Sequence, residues 1–119
     1  MNNNEFWNII NQLLNNNEII IDRPKGSYHP IMHSIVYPVD YGYISNVKSS
    51  DSEELDIWVG TDIGNRINGV ICTVDLHNKD CEVKIVYNCT DKEIENIISF
   101  SNERKEMKGI YIENQSIQP

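Results

Sequence analysis

Tyr37-Pro38-Val39-Asp40-Tyr41-Gly42-Tyr43, followed at a short interval by Asp51-Ser52-Glu53-Glu54-Leu55-Asp56, is the stretch on which the reading of this chain turns. It sets a rigid aromatic turn just upstream of a tight carboxylate cluster. Two more carboxylates, Asp75 and Asp80, close the next apolar run. Oxygen donors at this density suit a hard divalent cation, magnesium first. Acidic loops between strands are also ordinary solvated turns, and spacing alone leaves both readings open.

Outward from this stretch the chain alternates short apolar runs with turn residues. Phe6, Trp7, Ile9, Ile10, Leu13 and Leu14 recur at helical spacing over residues 4–15, with Asn3 or Asn4 as a cap. Glu18 to Asp22 reads as a strand, halted by Arg23-Pro24-Lys25-Gly26-Ser27, a turn by composition. Residues 28–36 carry no clear period, and Pro30 weakens a long strand there. Further strands are expected at Tyr41 to Asn46, Leu55 to Gly60, Gly69 to Asp75, Cys81 to Tyr87 and Lys108 to Glu113. Asp91 caps a predicted second helix reaching about Lys105, with Ile94, Ile97, Ile98 and Phe100 on its buried side. Short strands with a helix toward each end predict a mainly β (α+β) fold, a small closed barrel.

The 119 residues predict a single domain, 1–119, and no apolar run is long enough to span a membrane. Met1 to Glu5 holds neither a basic region nor an apolar signal segment, so the expected location is cytoplasmic. Three cysteines form no complete disulfide framework. Cys72, Cys81 and Cys89 with His77 lack a compact zinc spacing, and the first two fall in apolar strand-like runs. A net charge of −8 with no basic stripe argues against a nucleic-acid partner.

The order of these pieces resembles the soluble inorganic pyrophosphatases, a magnesium-dependent family built on a small β-barrel. The resemblance runs from about Ile19 to Ile112 and is most specific from Tyr37 to Asp56. Family members carry Tyr-Pro-x-Asn-Tyr-Gly-Tyr, then Asp-Gly-Asp-Pro-x-Asp, then two Asp flanking a short hairpin. It implies an OB-like five-stranded closed barrel and Mg²⁺-dependent hydrolysis of pyrophosphate to two phosphates. By position it implies Asp51, Asp56, Asp75 and Asp80 as metal ligands, Glu53 as helper in deprotonating the attacking water, and Tyr41 as a hydroxyl on phosphate. Lys25, Lys84 and Arg104 complete the implied substrate contacts, and Asp22 replaces a glutamate before the Pro-x-Gly turn. Bound Mg²⁺ would reconcile the acidic chain with an anionic substrate, since each ion adds two positive charges where that substrate sits. A homo-oligomer is compatible with the resemblance.

The departures fall on the phosphate-clamping side. A family hairpin bearing a lysine, a glutamate and an arginine is reduced to Tyr28 to Val36. Two residues after Asp80 the family has a lysine, and this chain has Glu82; Asp80, Glu82 and Lys84 share one strand face, so Lys84 is the expected substitute. A Tyr-Lys pair on the C-terminal helix becomes Glu103-Arg104. Each lost charge-assisted contact removes ~1.5–3 kcal/mol of binding or transition-state stabilisation. Two alternatives therefore stand beside pyrophosphate hydrolysis: a hydrolase of another diphosphate, and a catalytically degenerate member that binds metal or a partner.

Overall fold

The computed structural model describes residues 3–50 and 52–116. Among these, the elements run α1 (Asn4–Asn15), β1 (Ile19–Arg23), β2 (Asp40–Lys48), β3 (Glu54–Val59), β4 (Ile67–Asp75), β5 (Asp80–Tyr87), α2 (Asp91–Asn102) and β6 (Met107–Glu113). The alternating runs form strands where expected. Pro24 and Gly26 form the turn after β1, with Gly26 at φ +86° and the Ser27 N–H donating to the Pro24 carbonyl. Asn3 takes the first cap position, but its side chain makes no capping bond. Asp91 does not cap α2 as expected. The cap is Thr90, whose hydroxyl accepts from the Glu93 N–H while the Glu93 carboxylate accepts from the Thr90 N–H.

The sheet order is β1-β2-β3-β5-β4-β6, antiparallel throughout except for the parallel pairing of β3 with β5. This overturns the expected five-stranded closed barrel: the described strands form an open, mixed, six-stranded sheet. Two features keep the ends apart. β1 is five residues long and slips register between Ile21 and Arg23, so it offers little edge. On the opposite side, the Asn102 side-chain amide donates to the Gly109 carbonyl and accepts from the Gly109 N–H. These are edge groups of β6 that a closing strand would need.

Each helix covers one sheet face. Trp7, Ile10 and Leu14 of α1 pack with Ile44, Ile57, Val70 and Ile85. Ile97 of α2, flanked by Ile94, Ile98 and Phe100, packs with Tyr37, Tyr41, Trp58, Ile71 and Val86 on the other. Alternation along β2, β3, β4 and β5 therefore sorts the chain: the α1 side is mainly aliphatic with Tyr87 at its border, whereas the α2 side carries Tyr41 and Trp58 and, beyond them, Asp56, Glu82 and Lys84. No helix among the described residues is long and apolar enough to cross a membrane. Cys72, Cys81 and Cys89 are free thiols, and burial pushes Cys89 up to about 12.

Candidate functional site

Register brings the charged side chains together. Tyr41 lies opposite Trp58 and Tyr43 opposite Asp56, so Tyr41 and Asp56 are diagonal neighbours on one face. The parallel register Ile57 to Ile85 and Trp58 to Val86 carries Lys84 alongside Asp56. On β4, Thr73 faces Glu82 and Asp75 faces Asp80. These side chains line a cleft of about 240 Å³, which Arg23, His29, Tyr37, Phe100 and Arg104 complete from β1, the following loop and the end of α2.

At its centre, the Lys84 ammonium donates to Glu82 Oε2 at 2.6 Å, to the Tyr41 hydroxyl at 2.9 Å and to Asp56 Oδ2 at 3.2 Å. The Tyr41 hydroxyl in turn donates to Asp56 Oδ2 at 2.6 Å. Burial by itself would lower the Lys84 pKa, but its interactions with Tyr41 and Asp56 and the hydrogen bond to Glu82 outweigh it and raise it. Lys84 is therefore a fixed positive charge. Burial also raises the Tyr41 pKa, with Asp56 adding to the rise against the opposing pull of Lys84, so the phenol keeps its proton. Trp58, 1 % exposed, lies beneath these groups, and its indole N–H has no hydrogen-bond partner among the described residues.

The rim supplies further cations. Arg23 donates to the Tyr37 hydroxyl at 2.5 Å. Arg104 makes no hydrogen bond or ion pair with the described residues, so its guanidinium is available to an anion. His29 Nδ1 accepts the backbone N–H groups of Ile31 and Met32, both at 3.1 Å, which leaves Nε2 as the ring's proton-bearing nitrogen. Desolvation, then Arg23, Arg104 and His33, lower the His29 pKa, so the imidazole is neutral near pH 7.

Of the residues singled out from the sequence, Tyr41, Asp56, Asp75, Asp80, Lys84 and Arg104 line this one cleft. Asp51 lies outside the described residues. Glu53 is exposed and lines a neighbouring cavity of about 180 Å³, whose wall includes Asp56 and Glu82. Lys25 is exposed and does not line the cleft; its backbone N–H donates to Asp40 Oδ1 at 2.8 Å. Glu82 faces into the cleft, which its two-residue step from both Asp80 and Lys84 made legible. Arg23 and His29 were missed. Both stand at or beyond the end of β1, where no period exists to orient a side chain.

Among the described residues, no three of His, Cys, Asp or Glu form a group that could hold a metal ion by themselves. Magnesium is commonly held by only one or two carboxylates together with substrate phosphates and water, not by a protein cage. Asp75 and Asp80, cross-strand partners at the mouth of the cleft, fit that lesser requirement. Asp75 still has acceptor capacity after taking the Asn78 backbone and side-chain N–H groups, each at 3.1 Å. Asp56 is less suited, because Lys84 and Tyr41 already occupy its Oδ2.

No family model matches the chain, and no curated protein matches it by sequence. Among solved structures, the chain is similar to the inorganic pyrophosphatase from Helicobacter pylori, with a TM-score of 0.52. The match has 15% identity and covers 82% of this chain and 84% of that one. The fold is thus pyrophosphatase-like, and the likeness at this identity concerns the fold.

Proposed function

We propose that this chain, acting as one domain, is a hydrolase of the phosphoanhydride bond that cleaves pyrophosphate into two orthophosphates. The observation that carries the reading is the cleft itself. In a chain of net charge −8, Arg23, Lys84 and Arg104 converge on one cavity with Asp56, Asp75, Asp80 and Glu82. A diphosphate needs cations on its oxygens, and hydrolysing it needs an oriented water and support for the leaving phosphate.

In this reading Arg104 and Arg23 hold the outer phosphate oxygens. Lys84, kept charged by Asp56 and Glu82, stabilises the charge that develops on the leaving oxygen. Tyr41, protonated and anchored on Asp56, can turn its hydroxyl toward a phosphate oxygen. Asp56 and Glu82 have carboxylate oxygens left over to orient a water and take its proton, with Glu53 on the adjoining cavity as the second acceptor. Asp75 and Asp80 would hold Mg²⁺ arriving with the substrate, and Asp51 belongs to the same proposed ligand set. The ion would supply charge neutralisation and a more acidic bound water. The three free cysteines agree with a reducing, cytoplasmic setting.

The test is phosphate release from pyrophosphate by the purified chain, with MgCl₂ and with EDTA. Magnesium-dependent turnover is expected. Complete inactivity across divalent metals, with pyrophosphate failing to bind, would leave a pyrophosphatase-like fold without its chemistry.

A further inference from the structure

The polar cleft does not end at its rim. It adjoins a second cavity of about 530 Å³, and the two share His29, Asp75, Asn78, Arg104 and Met107 as a common wall. The second cavity takes its apolar surface from Ile31 and Met32 of the loop after β1 and from Met107 at the start of β6, with His77, Lys105 and Glu106 as polar lining. Ile31 is 81 % exposed, a large aliphatic residue held at the surface beside a charged site. Its loop is not loose chain. His29 N–H donates to the Ile35 carbonyl, Ile35 N–H to the Met32 carbonyl, and Tyr28 bridges Val36.

Cavities that bury organic ligands run ~300–1,000 Å³ and are lined mainly by apolar groups with a few placed polar ones. The charged cleft alone is smaller than that range, and the second cavity lies within it. Bare pyrophosphate has only charged oxygens to offer and would leave the apolar walls wet. A substrate with an organic group on one phosphate would fill both. The composition of the wall narrows that group. A branched alkyl chain would strand the His29 ring N–H, the Asn78 amide and the Arg104 guanidinium against hydrocarbon. A flat heterocycle offers its faces to Ile31, Met32 and Met107 and its polar edge to His29 and Asn78.

Resting on the hydrolase reading, we infer that the preferred substrate is a nucleoside diphosphate, its diphosphate in the charged cleft and its base in the adjoining apolar cavity. In the reaction, water oxygen bonds to the terminal phosphorus as the bond from that phosphorus to the bridging oxygen breaks. The bridging oxygen leaves on the nucleoside monophosphate, orthophosphate is released, and one proton passes to solvent. Arg104, shared by both cavities, would stand at the junction of the two halves.

The probes are ADP, pyrophosphate and dimethylallyl diphosphate in turnover, with α,β-methylene ADP and methylenediphosphonate in calorimetric binding. The expected result is a kcat/KM for ADP at least tenfold above that for pyrophosphate, and a matching preference for α,β-methylene ADP. Ile31→Asp and Met32→Asp, both at exposed positions outside the two core clusters, should each lower the ADP-to-pyrophosphate ratio about tenfold. Equal kcat/KM for ADP and pyrophosphate, with the ratio unmoved by either variant, would overturn the inference and leave the hydrolase reading standing. A preference for dimethylallyl diphosphate overturns the nucleoside assignment. Tight binding of α,β-methylene ADP with no phosphate release from any compound would support the two-cavity site and sink the hydrolysis.

Discussion

The Lys84 ammonium lies 3.2 Å from Oδ2 of Asp56, on a strand that runs parallel to the one bearing Asp56. The Tyr41 hydroxyl bridges the two, and Glu82 holds the ammonium from the other side at 2.6 Å. One cation thus balances two half-buried carboxylates, and removing it leaves both facing each other in a poorly solvated cleft.

Lys84→Met should therefore act on both stability and turnover. Removing one member of a buried charge set costs ~3–5 kcal/mol; Asp56 and Glu82 keep some solvent access, which reduces the expected loss to about 2 kcal/mol. Urea denaturation monitored by the combined fluorescence of Trp7 and Trp58 reads it. Phosphate release should fall at least a hundredfold, about 2.7 kcal/mol of transition-state stabilisation. A variant as stable and active as wild type would show that the ammonium only fills space.

Asp56→Asn keeps the side-chain volume and the link to Tyr41 but removes the charge opposite Lys84. We expect a folded protein by near-ultraviolet circular dichroism. Turnover should drop more than tenfold, beyond ~1.4 kcal/mol. Retention of more than about a tenth of wild-type activity would remove Asp56 from the proposed chemistry.

Gly42 sits in β2 opposite Ile21 of β1 and Ile57 of β3. A Cβ added there would meet the Ile20 carbonyl oxygen at 1.8 Å, a backbone atom that cannot swing aside. Gly42→Ala should thus push β1 off the sheet and cost ~3 kcal/mol, at the upper end of overpacking penalties. The neighbouring Tyr41 would move with β2, so activity should fall in step with the midpoint of thermal unfolding.

Glu93 ties the start of α2 to the end of β3. Its carboxylate accepts the Thr90 N–H at 2.8 Å, and the Thr61 N–H and hydroxyl at 3.1 Å each. Partial burial opposes ionisation, but these donors outweigh it and lower its pKa below the ordinary 4.5. A carboxylate with a lower pKa in the folded state stabilises fully above the unfolded value. That stability is lost as pH falls through the folded one. Thermal unfolding of wild type and Glu93→Gln should therefore differ most near neutrality and converge as the pH falls below the folded-state pKa of Glu93. Thr90→Ala, which removes the other half of the capping box, should cost ~1 kcal/mol at any pH.

Local chemistry made much of this protein legible from its residues. The strands expected at Glu18 to Asp22, Tyr41 to Asn46 and the later apolar runs between turns lie within two residues of those observed, and Trp7, Ile10 and Leu14 mark the buried stripe of α1. Strand alternation put Asp80, Glu82 and Lys84 on one face before any fold was known. The Thr90-x-x-Glu93 capping box is also written in the sequence, one residue before the Asp91 expected as the cap.

What the tertiary structure alone decided is which strands meet. Nothing in the residues of β3 or β5 announces that they pair in parallel, or that β1 and β6 end up as separate edges instead of closing a barrel. Strand pairing joins residues far apart in sequence through backbone groups that every strand shares. Periodicity therefore reports the face a side chain takes but not the neighbour it finds. The site follows the same division. The residue types and their faces came from the sequence, whereas the approach of Asp56 to Lys84, and of His29 and Arg104 to both, exists only because the sheet brought their strands and loops together.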